Sequence, residues 1–145
     1  MASIPARAAY QRFIAGSLEG RPIALVVHAS PTVRHALFVT LDLDGFDVLV
    51  ARDAAEAVVL LADEQPKVVV AELTAGGAGL GDLLRRLRSD ATTMHIPVIL
   101  ISRDGATPPV RKWIEDGVQH VRLDDGVDRL LDLLHVTVDS LRGRV

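Results

Sequence analysis

Cysteine is absent from this 145-residue chain, which excludes disulfide staples and every thiolate metal site. A cysteine-free sequence fits a reducing compartment, and a cytoplasmic protein is the expectation. Aromatic residues make up only 3% of the sequence, so its core must be built from Val, Leu, Ile and Ala. No apolar run approaches the roughly 18 residues that a membrane-spanning helix needs, so no membrane segment is expected. Positive charge is not in excess: 16 Lys and Arg stand against 19 Asp and Glu. The net charge of −3 gives no electrostatic basis for binding nucleic acid. Hydrophobic residues, in contrast, reach 49%, which argues against disorder and for one domain with a sound core.

Residues 1–21 stand apart as an N-terminal extension. Arg7, Arg12 and the lack of any acid before Glu19 give it some likeness to an organelle transit peptide. The preferred reading is an accessory helix from about Ala6 to Leu18, with Tyr10, Phe13, Ile14 and Leu18 on one face. Such a face packs on its own domain or on a partner, so Tyr10 and Phe13 are candidate interface residues. Gly20-Arg21-Pro22 marks the boundary, and residues 22–142 form the main domain.

Ile23-Ala24-Leu25-Val26-Val27 is a continuous apolar run, the pattern of a strand covered on both faces. Ser30-Pro31 then supplies an N-cap and a first-turn proline for a helix that Gly45 stops. Val48 to Ala51 reads as a second strand. Asp53 through Glu56 has capping-box spacing ahead of a second helix. Lys67 to Leu73 reads as a buried strand carrying one acid, Glu72, at its end. Leu80, Leu83, Leu84 and Leu87 mark a third helix, and Val98 to Ile101 a fourth strand entered by Pro97. Thr107-Pro108 opens a fourth helix with Val110, Trp113 and Ile114, closed by Gly117. Val118 to Leu123 suits an edge strand, and Val127 to Leu141 a long amphipathic last helix.

Five strand–helix repeats imply an α/β protein with a parallel sheet covered on both faces. The flavodoxin-like order 2-1-3-4-5, a (βα)5 three-layer sandwich, is the natural candidate. Its functional crevice lies at the carboxyl ends of strands 1 and 3. That crevice would be built from His28, Ala29 and Ser30 on one side and Glu72, Leu73 and Thr74 on the other.

The stretch Leu83-Leu84-Arg85-Arg86-Leu87-Arg88-Ser89-Asp90 and the following His95-Ile96-Pro97-Val98-Ile99-Leu100-Ile101-Ser102 resemble a response-regulator receiver domain. Arg52 to Ala57 and Ile114-Glu115-Asp116-Gly117 sit where that family has similar runs. The resemblance covers about residues 22–141 and implies the CheY-like fold. It also implies a site, and here the chain departs from the family. Receivers place a pair of acids after the first strand; the matching residues are His28 and Ala29. The phosphoacceptor aspartate corresponds to Glu72, the conserved lysine to Asp124 and its following proline to Asp125. The aromatic switch position corresponds to Val121. Ser102 alone keeps the family's residue type, at the serine or threonine switch.

These departures imply a degenerate phosphoacceptor site composed of His28, Ala29, Glu72, Ser102 and Asp124. Magnesium demands octahedral oxygen ligation, usually through one or two carboxylates; Ala29 offers no ligand and His28 a poor one for so hard an ion. Asp124 would repel the phosphoryl group that lysine attracts. Glu72 is one methylene too long for the geometry of in-line attack, where a misplacement of about 1 Å costs about a hundredfold in rate. No cofactor, no metal site and no enzymatic activity are expected. His28 is instead expected to hydrogen-bond Glu72 or Asp124, replacing the lost metal with an internal pair. Gly76-Gly77-Ala78-Gly79-Leu80-Gly81 follows a strand and opens a helix, but its spacing fits neither a dinucleotide fingerprint nor a P-loop. It reads as a flexible connection.

The resulting expectation is a pseudo-receiver: a non-catalytic signalling module acting through protein–protein contacts or homodimerisation, independent of aspartyl phosphorylation. Its expected contact surface is the face of the fourth helix, fifth strand and last helix that receivers commonly use, with Trp113 and Val121 as anchors. The alternatives are a phosphoacceptor response regulator with an atypical site, and a flavodoxin-like domain that binds a small ligand in the strand 1/strand 3 crevice.

Overall fold

The computed structural model describes residues 21–72, 78–102, 117–122 and 127–142. Five strands form one parallel sheet: β1 (Ile23–Val27), β2 (Asp47–Ala51), β3 (Val68–Glu72), β4 (Val98–Ser102) and β5 (Gln119–Arg122). Their order is β2-β1-β3-β4-β5, the flavodoxin-like arrangement. Four helices accompany them among the described residues: α1 (Pro31–Leu43), α2 (Ala54–Asp63), α3 (Ala78–Ser89) and α4 (Val127–Arg142). The expected helix around Trp113 lies outside the described residues, as do Tyr10, Phe13 and Asp124.

The caps form much as the sequence predicts. The Ser30 hydroxyl accepts from the Val33 N–H at the start of α1 (3.3 Å), and Asp53 accepts from the Glu56 N–H at the start of α2 (2.9 Å). The Glu56 carboxylate reaches back to the Arg52 N–H and to the Arg52 guanidinium, each at 3.1 Å. Gly45 stops α1 in a left-handed conformation, φ +100°, which costs little without a Cβ. The Arg21 guanidinium then secures that helix end, donating to the carbonyls of Asp42 (2.8 Å), Gly45 (3.2 Å) and Phe46 (2.6 Å). The run Gly76–Gly81 is only partly a connection, because α3 begins at Ala78.

Strand alternation divides the core in two. Leu25, Val27, Leu49, Ala51 and Leu100 face α2 and α3, where Leu80, Leu83 and Leu87 are buried against them. Ala24, Val26, Val70, Ile99 and Ile101 face α1 and α4, meeting Phe38, Leu41, Leu130 and Leu134. Sheet faces covered on both sides explain why β1, β3 and β4 read as unbroken apolar runs.

Val121 belongs to this second core and is 2% exposed. The expectation that it serves as a surface anchor is therefore corrected. β5 is an edge strand, but Val121 pairs in register with Ile101 and points to the covered α1/α4 face.

Candidate functional site at the strand ends

The carboxyl ends of the parallel strands carry two histidine-centred pairs. The first joins β1 to β3. His28 follows β1 directly, and its N–H donates to the Ala51 carbonyl at 3.0 Å, so its backbone continues the sheet. Its side chain is 7% exposed, and Nε2 lies 3.2 Å from Oε2 of Glu72. Nδ1 accepts from the Ser30 N–H at 3.0 Å. An imidazole nitrogen that accepts cannot also carry a proton, so the Ser30 bond assigns the Nε2–H tautomer, whose Nε2 faces the Glu72 carboxylate. Of the two partners expected for His28, the described residues supply Glu72.

The backbone around His28 is held by Arg34, in the first turn of α1. Its guanidinium donates to the His28 carbonyl (2.8 Å) and the Ala29 carbonyl (3.2 Å). Sequence reasoning overlooked Arg34, because nothing in its spacing marks a residue that folds back onto the preceding loop. Ala29 is exposed and contributes no side-chain ligand.

The second pair joins β4 to β5. Ser102 is 7% exposed, and its hydroxyl lies 2.7 Å from Nε2 of His120. Burial, together with the positive charge of Arg122, holds the His120 imidazole below its ordinary pKa of 6.5. His120 was also missed: it lies 18 positions from Ser102, and only parallel pairing of β4 with β5 brings the two together. Ser102 therefore turns to His120 while Glu72 turns to His28. Alternation agrees, since Glu72 is in register with Ile101 on the α1/α4 side and Ser102 follows Leu100 on the α2/α3 side.

Among the described residues the donor set does not suit magnesium. Glu72 supplies one carboxylate, Ala29 none, and both ring nitrogens of His28 are engaged. Among the described residues no group of three or more His, Cys, Asp or Glu side chains gathers in metal-binding geometry.

Comparison with solved structures matches this sheet and its helices to receiver domains. A response-regulator receiver domain from Clostridium thermocellum superposes with a TM-score of 0.76 at 18% identity, covering 86% of this chain and 99% of that one. The Francisella response regulator 1452 receiver domain gives 0.73 at 20% identity, covering 83% and 99%. The fold is that of a response-regulator receiver domain. A receiver protein from Pseudomonas putida agrees, with a TM-score of 0.72 at 24% identity over 81% of this chain and 98% of that one. Among curated proteins, Protein PilH of Pseudomonas aeruginosa is 35% identical over 78 residues, 54% of this chain. The phosphate regulon transcriptional regulatory protein PhoB of the same species is 28% identical over 86 residues, 59% of this chain. The chain spans 64% of the length of the first and 37% of the second. No family model matches the chain.

The His28–Glu72 pair lies at the carboxyl ends of β1 and β3. No helix among the described residues is long and apolar enough to cross a membrane.

Proposed function

We propose that this chain is a pseudo-receiver, a non-catalytic signalling module that works through protein contacts without aspartyl phosphorylation. The observation that carries this reading is the 3.2 Å contact between His28 Nε2 and the Glu72 carboxylate. It joins the position of a receiver's metal-binding acid to the position of its phosphoacceptor. The carboxylate that would have to attack a phosphoryl group is instead held by an imidazole N–H. In-line attack would have to break that contact without a metal's help. The same contact disfavours mimicry of the phosphorylated state, since Glu72 is directed to His28 while Ser102 is held by His120. The likeness to PilH and PhoB supports a signalling role with a protein partner or a second copy. We place the protein in the cytoplasm, as its cysteine-free sequence suits, with Trp113 retained as a candidate anchor and nucleic acid not among its partners.

Incubation with acetyl phosphate and magnesium, followed by intact-mass analysis, tests the proposal. No phosphoryl adduct is expected on the native chain or on Glu72→Asp alone. An adduct on either would restore the phosphoacceptor reading.

A further inference from the structure

A groove of 780 Å³ lies between α2 and the C-terminal half of α3, away from the strand ends just described. A recess of 370 Å³ extends it between the N-terminal halves of the two helices, and Val58 and Arg86 line both. Val58 and Leu61 are half-buried side chains of α2 that pack on the α2/α3 core, and Ala62 continues the apolar lining. The charges around the groove are unequally engaged. Asp82 pairs with Arg85, Arg88 donates to the carbonyls of Met94 and Ile96, and Asp90 accepts from the N–H and hydroxyl of Thr92. Arg86 has no such partner among the described residues.

The chain enters the fold at one end of this groove. The Ile23 carbonyl accepts from the Lys67 N–H at 2.8 Å, two residues past Gln65, which lines the groove, and the Ile23 side chain packs against the same core. Residues 1–20 therefore join the domain where the groove ends. Their sequence carries Tyr10, Phe13, Ile14 and Leu18 at helical spacing, followed by Glu19 as the first acid. A helix from Ala6 to Leu18 would be about 20 Å long, against about 18 Å for α3.

We propose that the α2/α3 groove is the docking site of the chain's own N-terminal segment, residues 6–19. The Tyr10/Phe13/Ile14/Leu18 face lies on Val58, Leu61 and Ala62, and the Glu19 carboxylate pairs with Arg86. Charge and shape agree: an apolar trough beside an unpaired cation receives an apolar face ending in an acid. The segment covers this side of the domain and leaves the strand ends untouched, so its docking is independent of the site chemistry above.

The cysteine-free sequence permits a direct test in the full chain. Ser17→Cys lies within the apolar face, and Ala62→Cys lies in the groove; a disulfide forms only when the two Cα atoms come within about 7 Å. Mild oxidation of the double variant is expected to give a monomeric, internally crosslinked species. Adding Phe13→Asp should slow its formation about tenfold or more through loss of a buried anchor. Ser17→Cys with Val39→Cys, on α1 across the sheet, should stay reduced under the same conditions. Disulfide-linked dimers of the first pair would assign the groove to a second copy and overturn the proposal. Failure of that pair to crosslink, equal crosslinking of the Val39→Cys control, or indifference to Phe13→Asp would overturn it as well. Amide shifts at Val58, Leu61 and Arg86 on Phe13→Asp, with Val39 unchanged, give an independent reading that needs no disulfide.

Discussion

The two pairs at the strand ends use the same imidazole atom, Nε2, to hold a side chain on a neighbouring strand, yet they are built for different loads. His28 is buried, its Nδ1 accepts from Ser30, its carbonyl is held by Arg34, and its partner is an anion. His120 is half-buried beside Arg122, and its partner is a neutral hydroxyl. A hydrogen bond to a charged group is roughly twice as strong as a neutral one. The first pair therefore locks the crevice between β1 and β3, and the second trims the sheet edge. The outcome is a stronger pair between β1 and β3 and a weaker, pH-sensitive one between β4 and β5.

The largest effect should come from breaking the first pair. His28→Leu leaves the Glu72 carboxylate without its donor and the Ser30 N–H without its acceptor. We expect a loss of about 3 kcal/mol in chemical denaturation. A fall below about 1 kcal/mol would mean that water replaces the imidazole at little cost. His28→Asp sharpens the same point by setting two carboxylates side by side. The variant should lose about 2 kcal/mol at neutral pH and regain part of it on acidification, because adjacent carboxylates cannot both ionise freely. Millimolar magnesium should raise its melting temperature and leave the native chain unmoved, since only a ligand that prefers the folded state stabilises it.

A smaller difference separates Glu72→Gln from Ser102→Ala. Glu72→Gln keeps an acceptor for His28 and removes only the charge, a cost of about 1 kcal/mol. Ser102→Ala removes a neutral bond, also worth about 1 kcal/mol or less. The comparison would fail if Ser102→Ala proved several-fold more damaging than His28→Leu.

The smallest effect is a pH slope. Because the folded state holds the His120 pKa below 6.5, the unfolded chain takes up that proton first as pH falls. The contribution of His120 to stability is thus fully present above pH 6.5 and is lost as pH drops through the folded value. His120→Gln should flatten this part of the stability–pH curve, and titration of the His120 ring protons by NMR should show the lowered midpoint directly.

Much of this architecture was legible in residue order. Ser30-Pro31, Asp53 with Glu56, and the apolar runs of β1, β3 and β4 place caps and strands through short-range chemistry alone, and the structure keeps them within a residue or two. Strand boundaries shifted by single residues; β2, for one, starts at Asp47, which is buried at 1% exposure, and a charged residue gives no apolar signal. Val121 was misread because its neighbours His120 and Arg122 are polar, which makes β5 look like an exposed edge until one sees which face is covered.

Residue types alone settled that this chain builds an aliphatic parallel α/β sheet, a property of composition and local periodicity. Which groups meet at the strand ends was decided only in three dimensions. His28 meets Glu72 because β1 and β3 are neighbouring parallel strands whose ends lie side by side. Ser102 finds His120 because parallel strands bring distant segments into register. Arg34 finds the His28 and Ala29 carbonyls because α1 turns back over the end of β1. Local sequence sets each segment's conformation and facing; pairing between segments depends on register and helix packing, which no short window of residues contains.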